Sequence, residues 1–505
     1  MTVMETTLAM RADPPAPASI AHPEKNRFVW LVAAAAFGVQ MAVSARYGYV
    51  RDELYFLAAG AHPALGYVDQ PALTPLLARA DAALTGNTLV GLRALPALVF
   101  GLMVLCTGAM ARTLGAGRRG QLVAALATAC CAEYLGAMHE LTTTTPDFLA
   151  WTVTLLLVCK LLTSGDQRWW VAIGAAAGIG AFAKWNIGFL LAGLALGFAA
   201  TPRVRPLLRS RYLVLGAVVF AAFAAPDVVW QAAHGWPNFA VFRELNTAAW
   251  ANRIQYWPNQ VLYTTIVLVP LWVGGIVWAL RDIRLRAIGI AAVFVICIQF
   301  VLGGKPYYPG GIYTFCFAAG AAALCSSQRL GPRWRTRAAV YCAGGVICSV
   351  ISLPVLPAAA LASFPVQKIN YDLGEEIGWP SEVGLLAKVW RGLPASQRSV
   401  ATVLTGNYGE AGAADRYGAG FGLPQVYCGA NSFWYWGPPP ASDTVAVAVD
   451  VNPALLHRWF SSVRVAAIYR NGLGVSDDEE GAVIYVATGL RASWTTAWPS
   501  FRNFS

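Results

Sequence analysis

Arg51-Asp52-Glu53-Leu54-Tyr55-Phe56-Leu57-Ala58-Ala59-Gly60-Ala61-His62 follows the first long apolar run of the chain, and Gly66-Tyr67-Val68-Asp69-Gln70-Pro71 comes shortly after it. Two acids stand side by side in this stretch, next to an arginine and among aromatics. Charge at the edge of a bilayer is costly and calls for a reason. The rest of the chain reads as a frame that brings other polar residues to this one.

The frame is apolar. Of 505 residues, 57% are hydrophobic and 12% are charged, and the mean hydropathy is +0.51. Soluble domains carry about 25% charge, so the chain reads as a polytopic membrane protein. Its net charge of +11 does not point to nucleic acid, because the arginines sit in short gaps between apolar runs, as the positive-inside rule requires. Residues 1–27 are polar and rich in Pro and Ala, as in a disordered cytosolic tail; this leader is too long for a signal peptide and lacks a cleavage site. The cysteines fall almost entirely in apolar runs, show no metal-binding spacing, and read as buried free thiols.

A spanning helix needs about 20 apolar residues. About eleven candidates satisfy this: 28–47, 89–111, 121–140, 147–163, 169–183, 187–201, 212–231, 261–280, 285–302, 309–327 and 337–358. The fifth and sixth are short and flank Lys184-Trp185-Asn186, so they also suit one broken or re-entrant pair. Gaps holding Arg112/Arg118/Arg119, Lys160/Arg168, Arg203/Arg205/Arg209/Arg211, Arg281/Arg284/Arg286 and Arg329/Arg333/Arg335/Arg337 alternate with the others. If they are cytosolic, so is the N-terminus, and 48–88, 141–146, 184–186, 232–260, 303–308 and everything after about 359 lie outside.

Within the first outer gap, apolar residues at helical spacing predict two short interfacial helices joined through Gly66-Tyr67 and Pro71. The gap 232–260 carries Trp236, Trp250 and Trp257, a pattern of interfacial anchors. Beyond 358 the composition changes. Valine-rich runs at 399–404, 425–427, 444–449, 463–469 and 483–487 read as strands, with helices over 410–417 and 453–460 between them. The expected division is thus a tail over 1–27, a transmembrane module over 28–358 and an extracytoplasmic α/β domain over 359–505.

Several outer residues can carry chemistry. Asp52 can cap the helix that follows it, or take a proton from a hydroxyl, or do both. Lys305, at the outer end of an apolar run and just before Tyr307 and Tyr308, can snorkel or meet an anion, and its outer position runs against the positive-inside bias. Arg51, Lys184, Arg243 and Arg253 are the other outer cations considered. His139, Glu140 and Asp147 face the same side and can close helix ends or, with Asp52 or Glu53, hold a divalent cation: magnesium or manganese by the oxygen ligands, zinc if His139 takes part. The aromatics of Asn431–Trp436 suit stacking on a sugar, contact with the bilayer, or a domain core. Gly406–Gly412 has neither of the glycine patterns that bind nucleotides, so no nucleotide cofactor is expected.

Arg51–Phe56 with Gly66–Leu73 resembles the first outer loop of the GT-C glycosyltransferases, and within them the glycosyltransferase family 39 group, which includes protein O-mannosyltransferases and bacterial lipid A aminoarabinose transferases. His139-Glu140-Leu141-Thr142-Thr143-Thr144-Thr145-Pro146-Asp147 resembles the second outer loop, and Gly304-Lys305-Pro306-Tyr307-Tyr308 the late loop that meets a lipid phosphate. Gly406–Ala413 and Asn431–Gly437 resemble the tail of bacterial, especially actinobacterial, members. The resemblance implies a multi-pass plasma-membrane enzyme that moves a sugar from a polyprenyl-phosphate donor to a lipid, glycan or protein hydroxyl. Asp52 and Glu53 would be catalytic, and Lys305, Arg51, Tyr307 and Tyr308 would bind the donor phosphate. Tyr55, Tyr67, Asp69, Gln70, Lys184, Asn407, Glu410 and Trp434 would lie along the substrates. Mannose, arabinofuranose, galactose and aminoarabinose donors all suit it. The rival reading is a transporter or a lipid-linked glycan exporter; against it, no half-chain repeat is visible and the polar residues sit in loops rather than at helix midpoints.

Overall fold

The computed structural model describes residues 24–326, 331, 333–364 and 366–504. Most of the expected tail, residues 1–23, lies outside these, as does Arg329. The membrane-type part contains α1 (Phe28–Val43), α2 (Arg51–Ala61), α3 (Leu73–Thr85), α4 (Leu89–Thr113), α5 (Arg118–Ala129), α6 (Ala132–Ala137), α7 (Thr144–Ser164) and α8 (Trp169–Ala183). It continues with α9 (Ile187–Ala200), α10 (Arg211–Ala233), α11 (Asn238–Leu245), α12 (Ala249–Tyr263), α13 (Val269–Arg281), α14 (Arg286–Leu302), α15 (Tyr313–Ser326) and α16 (Trp334–Ser352). Among the described residues, α4, α7 and α10 are long and apolar enough to cross a membrane, and the shorter α1, α8, α9 and α14 are apolar as well.

Each apolar run predicted from the sequence carries a helix, with two differences. The third run breaks at Cys130–Cys131 into α5 and α6. The eighth starts later than expected: Thr265 has φ +60°, and the helical stretch Asn238–Tyr263 lies at 79° to Ile266–Arg281. A β-branched residue at positive φ cannot continue a helix, so the chain turns there. Lys184-Trp185-Asn186 keeps α8 and α9 apart as two helices.

Small residues set the helix spacing. A Cβ added at Gly174 of α8 would lie 2.0 Å from the carbonyl oxygen of Gly216 in α10, and one at Gly275 of α13 would lie 2.1 Å from that of Cys316 in α15. Such backbone approach is how helices associate where burial against lipid gives little drive. The gaps between helices sort to two ends. At one, Asn26 donates to the Arg118 carbonyl at 2.7 Å and Trp170 to that of Leu207 at 3.1 Å. At the other, Gln231 donates to the Tyr67 carbonyl at 2.8 Å, Asn186 to that of Tyr308 at 2.9 Å and Gln260 to that of Pro306 at 2.7 Å.

The C-terminal part lies on this second end. It holds α17 (Asp372–Glu375), α18 (Trp379–Arg391), α19 (Ala395–Arg398), β1 (Ala401–Thr405), α20 (Tyr408–Phe421), β2 (Val426–Cys428), β3 (Val445–Val449), α21 (Pro453–Trp459), β4 (Phe460–Ile468) and β5 (Val483–Leu490). The strands form one sheet in the order β2-β1-β3-β5-β4. The β1–β2 and β1–β3 pairs are parallel and the β3–β5 and β5–β4 pairs antiparallel, with Val403 opposite Val447 and Val447 opposite Val486. β1 and β3 are buried along their whole length, which explains the unbroken apolar run of β3.

This sheet does not close its core alone. Leu54, Tyr55 and Phe56 of α2 share one buried cluster with Trp379 and Val383 of α18, Val403 of β1 and Phe433. A Cβ at Gly412 of α20 would sit 2.8 Å from the Leu54 backbone. So α2 is clamped between the helices and the sheet. Its aromatics cover the sheet domain, whose own residues leave that face open.

Candidate active site

A cavity of about 360 Å³ opens between α2, the α6–α7 connection, α12, the loop before α15 and the segment leading into α17. Asp52, Glu133, Glu140, Lys305, Tyr307 and Asp372 supply its polar lining, and Leu262, Cys348, Ile351 and Ile369 one apolar flank. Residues far apart in sequence thus put carboxylates opposite an ammonium at the mouth of a greasy slot.

Asp52 stands in the first turn of α2, whose partial positive N-terminal end favours a carboxylate. It is not the N-cap. That position is Val50, and Glu53 caps by accepting from the Val50 amide at 3.0 Å. Asp52 is therefore free of capping duty, and its Oδ1 accepts from the Tyr408 hydroxyl at 2.8 Å.

Glu53, expected beside Asp52 as a catalytic carboxylate, turns away from the cavity and is fully buried. Arg93 of α4, 1% exposed, donates to its two oxygens at 3.2 and 3.0 Å, to Glu376 at 3.3 Å and to the Gly48 carbonyl at 2.8 Å. His139 Nε2 lies 2.9 Å from the same guanidinium. Burial, and then the Arg93 charge, hold His139 well below the ordinary imidazole range, so the neutral ring accepts from Arg93. Burial pushes the Glu376 carboxyl up to about 8, with the nearby Arg93 opposing. This knot ties the chain before α2, the chain before α7 and the segment after α17 to one point beside Asp52.

The proposed metal ligands do not converge. His139 is spent on Arg93, Glu140 faces the cavity, and Asp147 accepts from Trp151 at 3.0 Å and Asn186 at 3.3 Å. Among the described residues no group of three or more His, Cys, Asp or Glu side chains is placed to hold an ion. His139, Glu140 and Asp147 thus serve separate partners and do not form one ligand set.

Around Lys305 the aromatics gather. Its ammonium is 6.0 Å from the Tyr307 ring centre. Lys184 lies 5.2 and 5.1 Å from the rings of Tyr307 and Tyr308 and donates to Thr144 at 3.3 Å. Burial lowers the Lys184 ammonium to about 8, with the Asp147 charge opposing and that of Lys305 adding to the fall.

Residues 69–230 match the family profile of the dolichyl-phosphate-mannose-protein mannosyltransferases. The fold is similar to that of ArnT from Cupriavidus metallidurans bound to undecaprenyl phosphate (TM-score 0.59, 18% identity, 91% of this chain and 98% of that one). It is likewise similar to the apo state of that protein (TM-score 0.57, 16% identity, 91% and 97%). AglB, an oligosaccharyltransferase from Archaeoglobus fulgidus, aligns less well (TM-score 0.45, 13% identity, 77% and 64%). No curated protein sequence matches. The likeness to that family is thus confined to residues 69–230, and the fold as a whole is like that of ArnT.

The remaining candidate residues take up positions around this cavity and in the C-terminal part. Arg51 is turned from the cavity to the C-terminal domain, 2.6 Å from Asp478 and 3.6 Å from Glu375. Tyr55 donates to Asp69 at 2.7 Å, and burial raises Asp69 to about 7 against that hydrogen bond. Tyr67 donates to the Ala59 carbonyl at 2.9 Å, and Gln70 is buried. Asn407 and Glu410 form a capping box at the start of α20, a local duty the sequence spacing allowed. Trp434 exchanges hydrogen bonds with Trp498 at 3.1 and 3.0 Å and lies under Arg502, within the domain core. Arg93, Asp372, Glu376 and Tyr408 were not singled out from the sequence. A lone arginine inside the apolar run 89–111 was the signal for the first, since intramembrane charge is rarely idle.

Proposed function

We propose that this protein is a membrane glycosyltransferase that moves a sugar from a polyprenyl-phosphate donor to a hydroxyl acceptor. The observation that carries the reading is the single cavity lined by both Asp52 and Lys305 with an apolar flank. Lys305 meets the lipid phosphate and the charge that develops on it as the glycosidic bond breaks. Leu262, Ile351 and Ile369 take the first isoprenoid units. Asp52 removes the proton of the acceptor hydroxyl, which attacks the anomeric carbon from the face opposite the phosphate. One base and one displacement give an inverted product without a glycosyl-enzyme intermediate; two carboxylates used in turn would give retention. A fold shared with a protein solved with undecaprenyl phosphate bound supports the lipid donor.

The cavity and the sheet domain face the outside of the plasma membrane, and the arginine-rich end faces the cytosol. A C-terminal epitope should be reached from outside intact cells; access only after lysis would overturn this orientation. For the activity, the purified protein in lipid nanodiscs is incubated with radiolabelled polyprenyl-phosphate sugars, and release of polyprenyl phosphate is followed. Asp52→Asn should lower turnover by roughly 10²–10⁴, the usual worth of a general base, while donor binding persists. Near-normal turnover in well-folded Asp52→Asn protein would refute the assignment.

A further inference from the structure

We propose that Tyr408, carried by the C-terminal domain, is the positioning residue for Asp52, so that this domain completes the active site. The inference rests on Asp52 as the base. Tyr408 is the first residue of α20, and its hydroxyl donates to Asp52 Oδ1 at 2.8 Å across 356 residues of sequence. Its place is fixed from three sides. The Asn407–Glu410 capping box holds the start of α20, the Tyr55 ring of α2 lies 5.1 Å away, and the Arg51 guanidinium sits 4.9 Å over its face. Arg51 is anchored in turn by Asp478 at 2.6 Å. With Oδ1 occupied, Oδ2 is the oxygen left for an acceptor hydroxyl, and the carboxylate plane cannot swing freely.

The other charged and titratable groups around Asp52 are Arg51, Lys184, Lys305, Asp69, Glu140, Asp372 and Tyr307. Of these, the carboxylates Asp69, Glu140 and Asp372 all oppose a second negative charge. The donated proton of Tyr408 works against that crowding without adding charge.

The test uses the full-length protein in nanodiscs. Tyr408→Phe keeps the ring, its packing on Tyr55 and its place under Arg51, and loses only the donor. Turnover should fall by roughly 10-fold, the scale of one hydrogen bond to a charged group, while the donor KM stays within about twofold. In an Asp52→Asn background the same substitution should cost almost nothing more, because the partner it acts through is gone. Unchanged turnover, or an equal loss in both backgrounds, would overturn the positioning role while Asp52 remained the base. High activity of Asp52→Asn alone would instead sink the base assignment.

Discussion

Arg93→Met is the sharpest test of how the site is held. The guanidinium is 1% exposed and bridges Glu53 at 3.0 Å and Glu376 at 3.3 Å, while also serving the carbonyl of Gly48 at 2.8 Å. Methionine fills much the same volume, so the cavity term is small. What is lost is the only cation facing two buried carboxylates among the described residues. Removing one partner of a buried pair costs about 3–5 kcal/mol. Here one deletion strands Glu53 and Glu376 together, so a loss near the upper end, about 5 kcal/mol, is expected if both stay charged. Protonation of Glu376, already shifted upward by burial, would relieve part of it and leave about 3 kcal/mol, the lower end of the same range. The assay is thermal melting of the detergent-solubilised protein, read by fluorescence-detected size exclusion. Arg93→Met should melt far below wild type or fail to accumulate. The triple variant Arg93→Met/Glu53→Gln/Glu376→Gln should recover most of the loss, because no charge is left unpaired. If Arg93→Met melted like wild type, the knot would not be what fastens α2 to its neighbours, and the reasoning would fail.

Lys305→Ala should lower turnover by about 10²-fold, the scale of one electrostatic contact to a developing charge, with an unchanged melting temperature, since Lys305 is exposed; unchanged turnover would leave it a snorkelling side chain. Glu382 of α18 is 2% exposed, neither of its oxygens has a partner, and burial, then Asp477 and Asp450, push it up to about 8. Its folded value lies above the unfolded one, so its contribution is fully present below about 4.5 and is lost as pH rises through about 8. Glu382→Gln should therefore melt like wild type at low pH and higher than wild type at pH above 8; parallel melting curves across the range would contradict this.

Much of the architecture was legible in the chain because it depends on local quantities. The length of an apolar run sets where a helix can span, arginine counts sort the gaps, and unbroken valine runs with turn residues between them mark buried strands. Hence most of the membrane-type helices and the strands β1 to β5 fall close to where these runs put them, while α11 and α12 lie in a gap read only as interfacial anchors. Asp52, Glu140, Lys305 and Tyr307 were likewise visible, as polar residues at the ends of apolar runs.

What the tertiary structure decided is which of these residues meet. Asp52 and Glu53 are adjacent in sequence and equal in chemistry, yet helical rotation of about 100° per residue sends one to the cavity and the other to Arg93. No local signal distinguishes them, since the difference lies in what α4 and α17 present to each face. Tyr408 reaches Asp52 only because α20 docks on α2, a contact of long sequence separation made by the sheet domain's need to cover its open apolar face. His139, Glu140 and Asp147 show the converse. Their spacing allowed one ligand set, and packing sends each to a different partner, His139 to an arginine on another helix. Sequence alone determined most of the helices and the strands, because those follow from each segment's own surface chemistry. Their pairing into a site was left to packing between segments hundreds of residues apart.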